Sequence, residues 1–256
     1  PGSVQVIGYH AFDGCTALER VIFSDPTDGA DLIIRLDAFA NCPKLTECEI
    51  PAVATYVTAN VFKGCMSMEK ITVHPENPYY FTDENGVMFG PWVDEGEPQY
   101  DDPNLTLTAY PSGREGAYSV PESVHNRTVD RIWASAFKKA EKLTDITIPE
   151  TVKIIGGNAF EASGLTDVTI PDTVESLGSG AFEDCTKLTH VKLPDNMTSI
   201  SHSLFKGCTS LSSVDFPKAA NSIAMYAFAD CKSLTNLILP DGIVNITLAA
   251  FEGCTN

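Results

Sequence analysis

The chain has 256 residues, 43% of them hydrophobic, and its 34 acidic and 17 basic side chains give a formal charge of -17. That length and apolar content provide for a folded core rather than a disordered chain. The negative balance argues against nucleic acid, whose phosphates demand a basic face, and against an anionic membrane surface; no apolar run approaches the ~20 residues that span a bilayer.

In chain order, the first recurring element centres on Phe12, and Phe39 and Phe62 follow at intervals of 27 and 23 residues. A gap of 75 residues leads to Phe137, after which Phe160, Phe182, Phe205, Phe228 and Phe251 are spaced by 23, 22, 23, 23 and 23. A period near 23 marks a solenoid, in which each unit is too small to bury its own apolar face and stacks on its neighbours. The slots around each Phe are filled in register. Five residues before it stands Ile7, Ile34, Val57, Ile132, Ile155, Leu177, Ile200, Ile223 or Ile246. Seven of the nine units carry Cys three residues after it; Ala140 and Ser163 replace it in the other two. A Val-x-Leu stretch alternates as a short half-buried strand does, and a proline ends the ladder. Ala181–Cys185 is the size of one tight helical turn.

The 75-residue interval holds an excursion over residues 75–130. Asn85-Gly86 is a hairpin turn signal between apolar runs, and Leu105 to Pro111 alternates like another strand. Between them "GPWVDEGEPQYDDPN" is acidic and rich in Pro and Gly, and reads as a mobile loop. Eight aromatics between Tyr79 and Tyr118 give the excursion a packing surface of its own.

The stretch "IPDTVESLGSGAFEDCTKLTHVKLP", Ile170 to Pro194, resembles the BspA-like bacterial leucine-rich repeat surface proteins. The resemblance implies a leucine-rich repeat solenoid with a right-handed superhelix. A parallel β-sheet lines the concave face, short strands and single helical turns form the return path, and a β-hairpin is inserted. On this reading residues 1–256 form one domain of about nine ~23-residue repeats. The resemblance further implies a secreted or cell-surface bacterial protein with an adhesive, protein-binding role. The pattern is under way at both Pro1 and Asn256, so the chain reads as an excerpt, with signal and anchor expected outside it.

Motifs for chemistry are absent: no CxxC pair, HExxH, phosphate loop or GxSxG elbow occurs. Neither catalytic residues nor a cofactor or metal are expected. A column of cysteines spreads along an axis instead of converging on one ion, so the thiols read as free core residues. The acidic run Asp94, Glu95, Glu97, Asp101 and Asp102 lacks the spacing of a calcium loop.

The surface therefore carries the functional reading. Outward slots flanking the buried strand residue pair as Arg20/Ile22, Glu47/Glu49, Lys70/Thr72, Asp145/Thr147, Asp167/Thr169, His190/Lys192, Ser213/Asp215 and Asn236/Ile238. From this stripe His190, Lys192, Asp167 and Asp215 are candidate ligand-binding residues. Trp92 and Tyr100, beside the acidic segment, are candidates for exposed aromatic contacts. Tyr79, Phe81 and Phe89 are expected to pack the hairpin onto the solenoid. The expected partner is a host or neighbouring-cell protein. A carbohydrate-binding module and a structural spacer are the alternative readings, with no membrane insertion in this segment.

Overall fold

The computed structural model describes all residues except 1, 25–29, 59, 95–96, 236 and 256, and the side chains of 94 and 97. Successive coils stack in parallel register along two ladders. The front ladder is built by the Val-x-Leu stretches. Arg20–Val21 pairs with Glu47–Ile50, which pairs with Thr72–Val73. Further along, Asp167–Thr169, His190–Lys192 and Ser213–Asp215 pair side by side. The return ladder carries the aliphatic residue five before each Phe: Ile7, Ile34 and Val57 are matched, as are Leu107, Ile132, Ile155 and Leu177, and then Ile200, Ile223 and Ile246.

Between the ladders the phenylalanines stack. Phe160 lies 5.1 Å from Phe182, Phe182 lies 5.7 Å from Phe205, and Phe205 lies 5.3 Å from Phe228, with ring planes nearly parallel. Seven of the nine Phe rings, Phe39 to Phe228, are fully buried. Burying each contributes roughly 1.5–3 kcal/mol.

The segment around each Phe is a pair of tight turns, and no helix occurs among the described residues. The hydrogen bonds give the reason. The amides of Gly180, Phe182 and Asp184 donate forward to the carbonyls of His202, Leu204 and Lys206 in the next coil. The amides of Glu183 and Cys185 turn back to Gly180 and Phe182 within their own coil. The backbone bars a helix as well: Asp184, inside this run, has φ 58°, outside the right-handed helical region. The positions two before and two after each Phe have positive φ in all nine coils, from His10 and Gly14 to Ala249 and Gly253. Gly, Asn and Asp tolerate that conformation best, and they hold eleven of these eighteen places. At Gly207 (φ 76°) a side chain is excluded for a second reason: a Cβ there would meet Asp184 Oδ1 of the preceding coil at 2.1 Å.

The excursion is more regular than its sequence. Phe81–Thr82 and Met88–Gly90 form the hairpin expected at Asn85-Gly86. Leu105–Ala109 then joins the return ladder and Gly116–Ser119 the front ladder. Tyr110 takes the Phe slot: its amide donates to Ala136 and its ring lies 4.8 Å from Phe137. The acidic segment is not a simple loop but a second hairpin, Trp92–Asp94 against Glu97–Gln99, whose turn lies outside the described residues. It is held by Asp102, which pairs with Arg131 at 2.9 Å, and by Arg127, which donates to the carbonyls of Asp102, Pro103 and Asn104.

The core divides at this irregular stretch, one cluster around Phe39, Phe62 and Tyr80 and the other running from Val87 to Ala250. Lys139 spans the division by donating to Asn41 Oδ1 at 3.0 Å, 98 residues away in sequence. At the C-terminal end no strand forms at 237–239, and Asn236 lies outside the described residues.

Candidate functional site

The two ladders fix where polar side chains can go. Along Asp167–Thr169, His190–Lys192 and Ser213–Asp215, alternation turns Val168, Val191 and Val214 inward. Their neighbours line up outside as two rows, Asp167–His190–Ser213 and Thr169–Lys192–Asp215. Four residues selected from the sequence are thereby brought together. His190 Nδ1 lies 3.1 Å from Asp167 Oδ2, and His190 Nε2 lies 3.4 Å from Asp215 Oδ2. One imidazole thus bridges carboxylates on the coils before and after its own. The carboxylates are 62% and 65% exposed, which makes the pairs surface interactions worth roughly 0–1 kcal/mol. Their value lies in position rather than stability. Lys192 borders a shallow groove of about 370 Å³ that also exposes Asp145, Thr147, Glu150 and Asp172.

Both imidazole nitrogens face carboxylates, and Ser213 lies beside His190 in the outer row. Among the described residues no group of three His, Cys, Asp or Glu side chains is arranged to hold a metal ion.

The other two sequence candidates are placed apart from this patch, on the second hairpin. Trp92 is half-buried: the Arg131 guanidinium lies 5.2 Å from its ring centroid, and Trp133 lies 6.2 Å away. Burial raises the carboxyl pKa of neighbouring Asp130 above its ordinary range, against the lowering effect of Arg131. Tyr100 keeps 39% exposure, its ring packs at a tilt with its centroid 4.2 Å from that of Tyr79, and its hydroxyl donates to the Thr55 carbonyl. Both aromatics therefore contribute to holding the hairpin against the coils, with Tyr100 also exposed to solvent. Phe89 is buried, and Tyr79 and Phe81 are partly so, as packing residues should be. Of the acidic run, Asp102 is engaged by Arg131, while residues 95 and 96 and the side chains of 94 and 97 lie outside the described residues.

A second concavity on the front ladder was not singled out by sequence reasoning. About 480 Å³ in volume, it is lined by Arg20, Ile22, Phe23, Glu49, Val53 and Glu76, among others. Arg20 pairs with Glu47 across adjacent strands at 2.8 Å. The available signal was Ile22, an apolar residue in an outward slot where most other coils carry a polar one; it is 74% exposed.

The family of the BspA type leucine rich repeat region matches residues 1–84 and 130–256 in six copies. No curated protein matches the chain. Among solved structures, a leucine rich cell surface protein from Faecalibacterium prausnitzii is similar at 27% identity and a TM-score of 0.60, over 96% of this chain and 60% of that one. The chain thus spans less than two thirds of that relative's length. A leucine-rich repeat protein from Eubacterium ventriosum aligns over 100% of this chain and 82% of that one at 23% identity, with a TM-score of 0.68. The pneumococcal vaccine antigen PcpA aligns over 96% and 61% at 19% identity, with a TM-score of 0.56. The last two show the shared fold.

Proposed function

Because the chain belongs to the BspA-type leucine-rich repeat family, we propose that it is a non-catalytic recognition module of a secreted or cell-surface bacterial protein, binding a protein partner through its front ladder. The observation that carries this reading is the row of outward side chains around His190. Its partners change identity from coil to coil while the inward Val168, Val191 and Val214 stay constant. A scaffold that holds its inside fixed and lets its outside vary is suited to recognition, and solenoids present such surfaces as long open faces. The front ladder is preferred over the second hairpin because Trp92 and Tyr100 are already occupied with Arg131, Tyr79 and Thr55. The same engagement weakens the carbohydrate reading, which needs a free aromatic platform.

The test is a binding screen against arrayed host-matrix and bacterial surface proteins, run with three chains: unaltered, His190→Ala/Lys192→Ala, and Trp92→Ala/Tyr100→Ala. The proposal expects the first pair of substitutions to abolish a signal that the second pair leaves in place. The reverse result moves the site to the hairpin. An empty array with all three chains favours the spacer role.

A further inference from the structure

The first three coils carry a groove that differs in kind from the His190 patch. We propose that it receives an extended segment of a partner protein in which a large aliphatic residue lies next to Lys or Arg. This rests on the reading of the front ladder as the recognition face and assigns the chemistry of one part of it.

The floor and the rim each contribute to the argument. The floor is apolar: Val21, Ile22, Phe23, Pro51 and Val53 line it, and Ile22 stands 74% exposed. With the part-buried Val21, Phe23, Pro51 and Val53 around the same concavity, Ile22 belongs to a contiguous apolar surface rather than standing alone. The rim is acidic. Glu47, Glu49 and Glu76 are all exposed there against one guanidinium, Arg20. Arg20 is matched to Glu47 at 2.8 Å, which leaves Glu49 and Glu76 without an ion pair among the described residues. His74 is turned inward on its own turn, its Nδ1 accepting from the Glu76 amide at 3.2 Å. The groove therefore complements an aliphatic side chain flanked by positive charge, and rejects an acidic segment by repulsion.

Dimensions agree with a peptide. The groove crosses three adjacent strands, Arg20–Val21, Glu47–Ile50 and Thr72–Val73. At ~4.8 Å between strands it spans about 10 Å, the reach of roughly three extended residues. A volume of about 480 Å³ sits within the range of specific binding pockets.

The experiment is a titration of the isotope-labelled full chain, followed by amide chemical shifts. The probes are two synthetic octapeptides, Gly-Ser-Leu-Arg-Leu-Lys-Ser-Gly and its acidic counterpart Gly-Ser-Leu-Glu-Leu-Asp-Ser-Gly. The basic peptide is expected to shift Ile22, Phe23, Glu49, Val53 and Glu76, and the acidic one to shift none. Glu49→Gln/Glu76→Gln should weaken the basic peptide about tenfold. Ile22→Ser should weaken it by a similar factor, and His190→Ala/Lys192→Ala should leave it unchanged. No shifts with the basic peptide, equal shifts with both peptides, or indifference to the double Gln variant would each overturn the proposal. Shifts centred on Asp167 and Asp172 instead would overturn the groove assignment and leave the front ladder standing as the recognition face. Shifts confined to the second hairpin would remove both.

Discussion

The thiol of Cys208 donates to the carbonyl oxygen of Phe182, one coil away, at 3.0 Å. The same bond recurs from Cys42 to Phe12, Cys65 to Phe39, Cys185 to Phe160, Cys231 to Phe205 and Cys254 to Phe228. Each thiol adds a donor from the next coil to a carbonyl of the tight turn; that of Phe182 already accepts the Cys185 amide and takes the Cys208 thiol as well. That is a structural reason for the slot to hold Cys or Ser instead of a purely apolar residue. Ser163 keeps the polarity there, and its hydroxyl lies 3.3 Å from the Cys185 sulfur.

All eight cysteines are free thiols, and only Cys15 and Cys254 are half-exposed. Burial pushes the Cys65 and Cys231 thiols up to about 12, so almost no thiolate exists at pH 8. Alkylation of the native chain should label Cys15 and Cys254 first and leave the other six protected until denaturant is added. Mass spectrometry of timed samples checks this. Eight equally fast sites in the folded chain would mean the column is open.

Truncation of the ring column should depend on position. Phe182→Ala removes a fully buried ring between two neighbours and is expected to cost about 3–5 kcal/mol. Phe12 is 41% exposed and stacks on one neighbour, so Phe12→Ala should cost less than about 2 kcal/mol. Equilibrium unfolding in urea measures both; equal losses would contradict a continuous buried stack.

Gly207→Ala should destabilise by about 1–2 kcal/mol for the left-handed backbone alone, and further because its Cβ would press on Asp184 Oδ1. Asp184→Gly in the same chain removes that contact, and the single Asp184→Gly variant measures what Gly does at the left-handed Asp184 position by itself. The double variant should therefore lose less than the sum of the single losses, and strict additivity would show that the two coils do not touch there.

Asp184 also sets a pH dependence. Burial and the neighbouring Glu183 raise its carboxyl pKa above the ordinary value, with Lys206 acting in the opposite direction. A raised folded pKa means that the folded state holds the proton more tightly. Its stabilising contribution is complete below the unfolded pKa of about 3.9 and is lost as pH rises through the folded value. Ionised Asp184 is consequently expected to oppose folding at neutral pH, by a small amount because the side chain is exposed. Asp184→Asn should raise the unfolding midpoint at pH 7, and the gain should shrink as the pH falls below about 4. A gain that is independent of pH would assign the effect to backbone preference alone.

Much of this architecture is legible in the amino-acid pattern because the constraint is periodic. A residue that stacks on its own copy must recur in register, so the columns of Phe182 and Leu177 and their equivalents stand out. The turns are harder to read. Ala181–Cys185 has helical length, and only the left-handed backbone at Asp184, with its amide bonded to Lys206 of the next coil, shows why it cannot be a helix. Lys139, Ala162 and Tyr226 hold left-handed positions that their residue types do not announce. Tyr110 was hidden for a different reason: the return path is shortened before it, which puts it out of phase with the phenylalanines on either side. At the candidate site, strand alternation was enough to put Asp167 beside His190 and Lys192 beside Asp215. The partners of Trp92 and Tyr100, Arg131 and Tyr79, were not legible, because they meet only through a hairpin that the acidic composition concealed.

The account separates a fixed interior from a variable front row, and one variant tests that separation directly: Asp167→Asn, His190→Ala, Lys192→Ala and Asp215→Asn combined in a single chain. Its urea unfolding and its binding to partners identified in the screen should be measured side by side. The prediction is a loss of less than about 0.5 kcal/mol per site in stability, together with loss of binding. Binding that survives intact, or a chain that no longer folds, would contradict it.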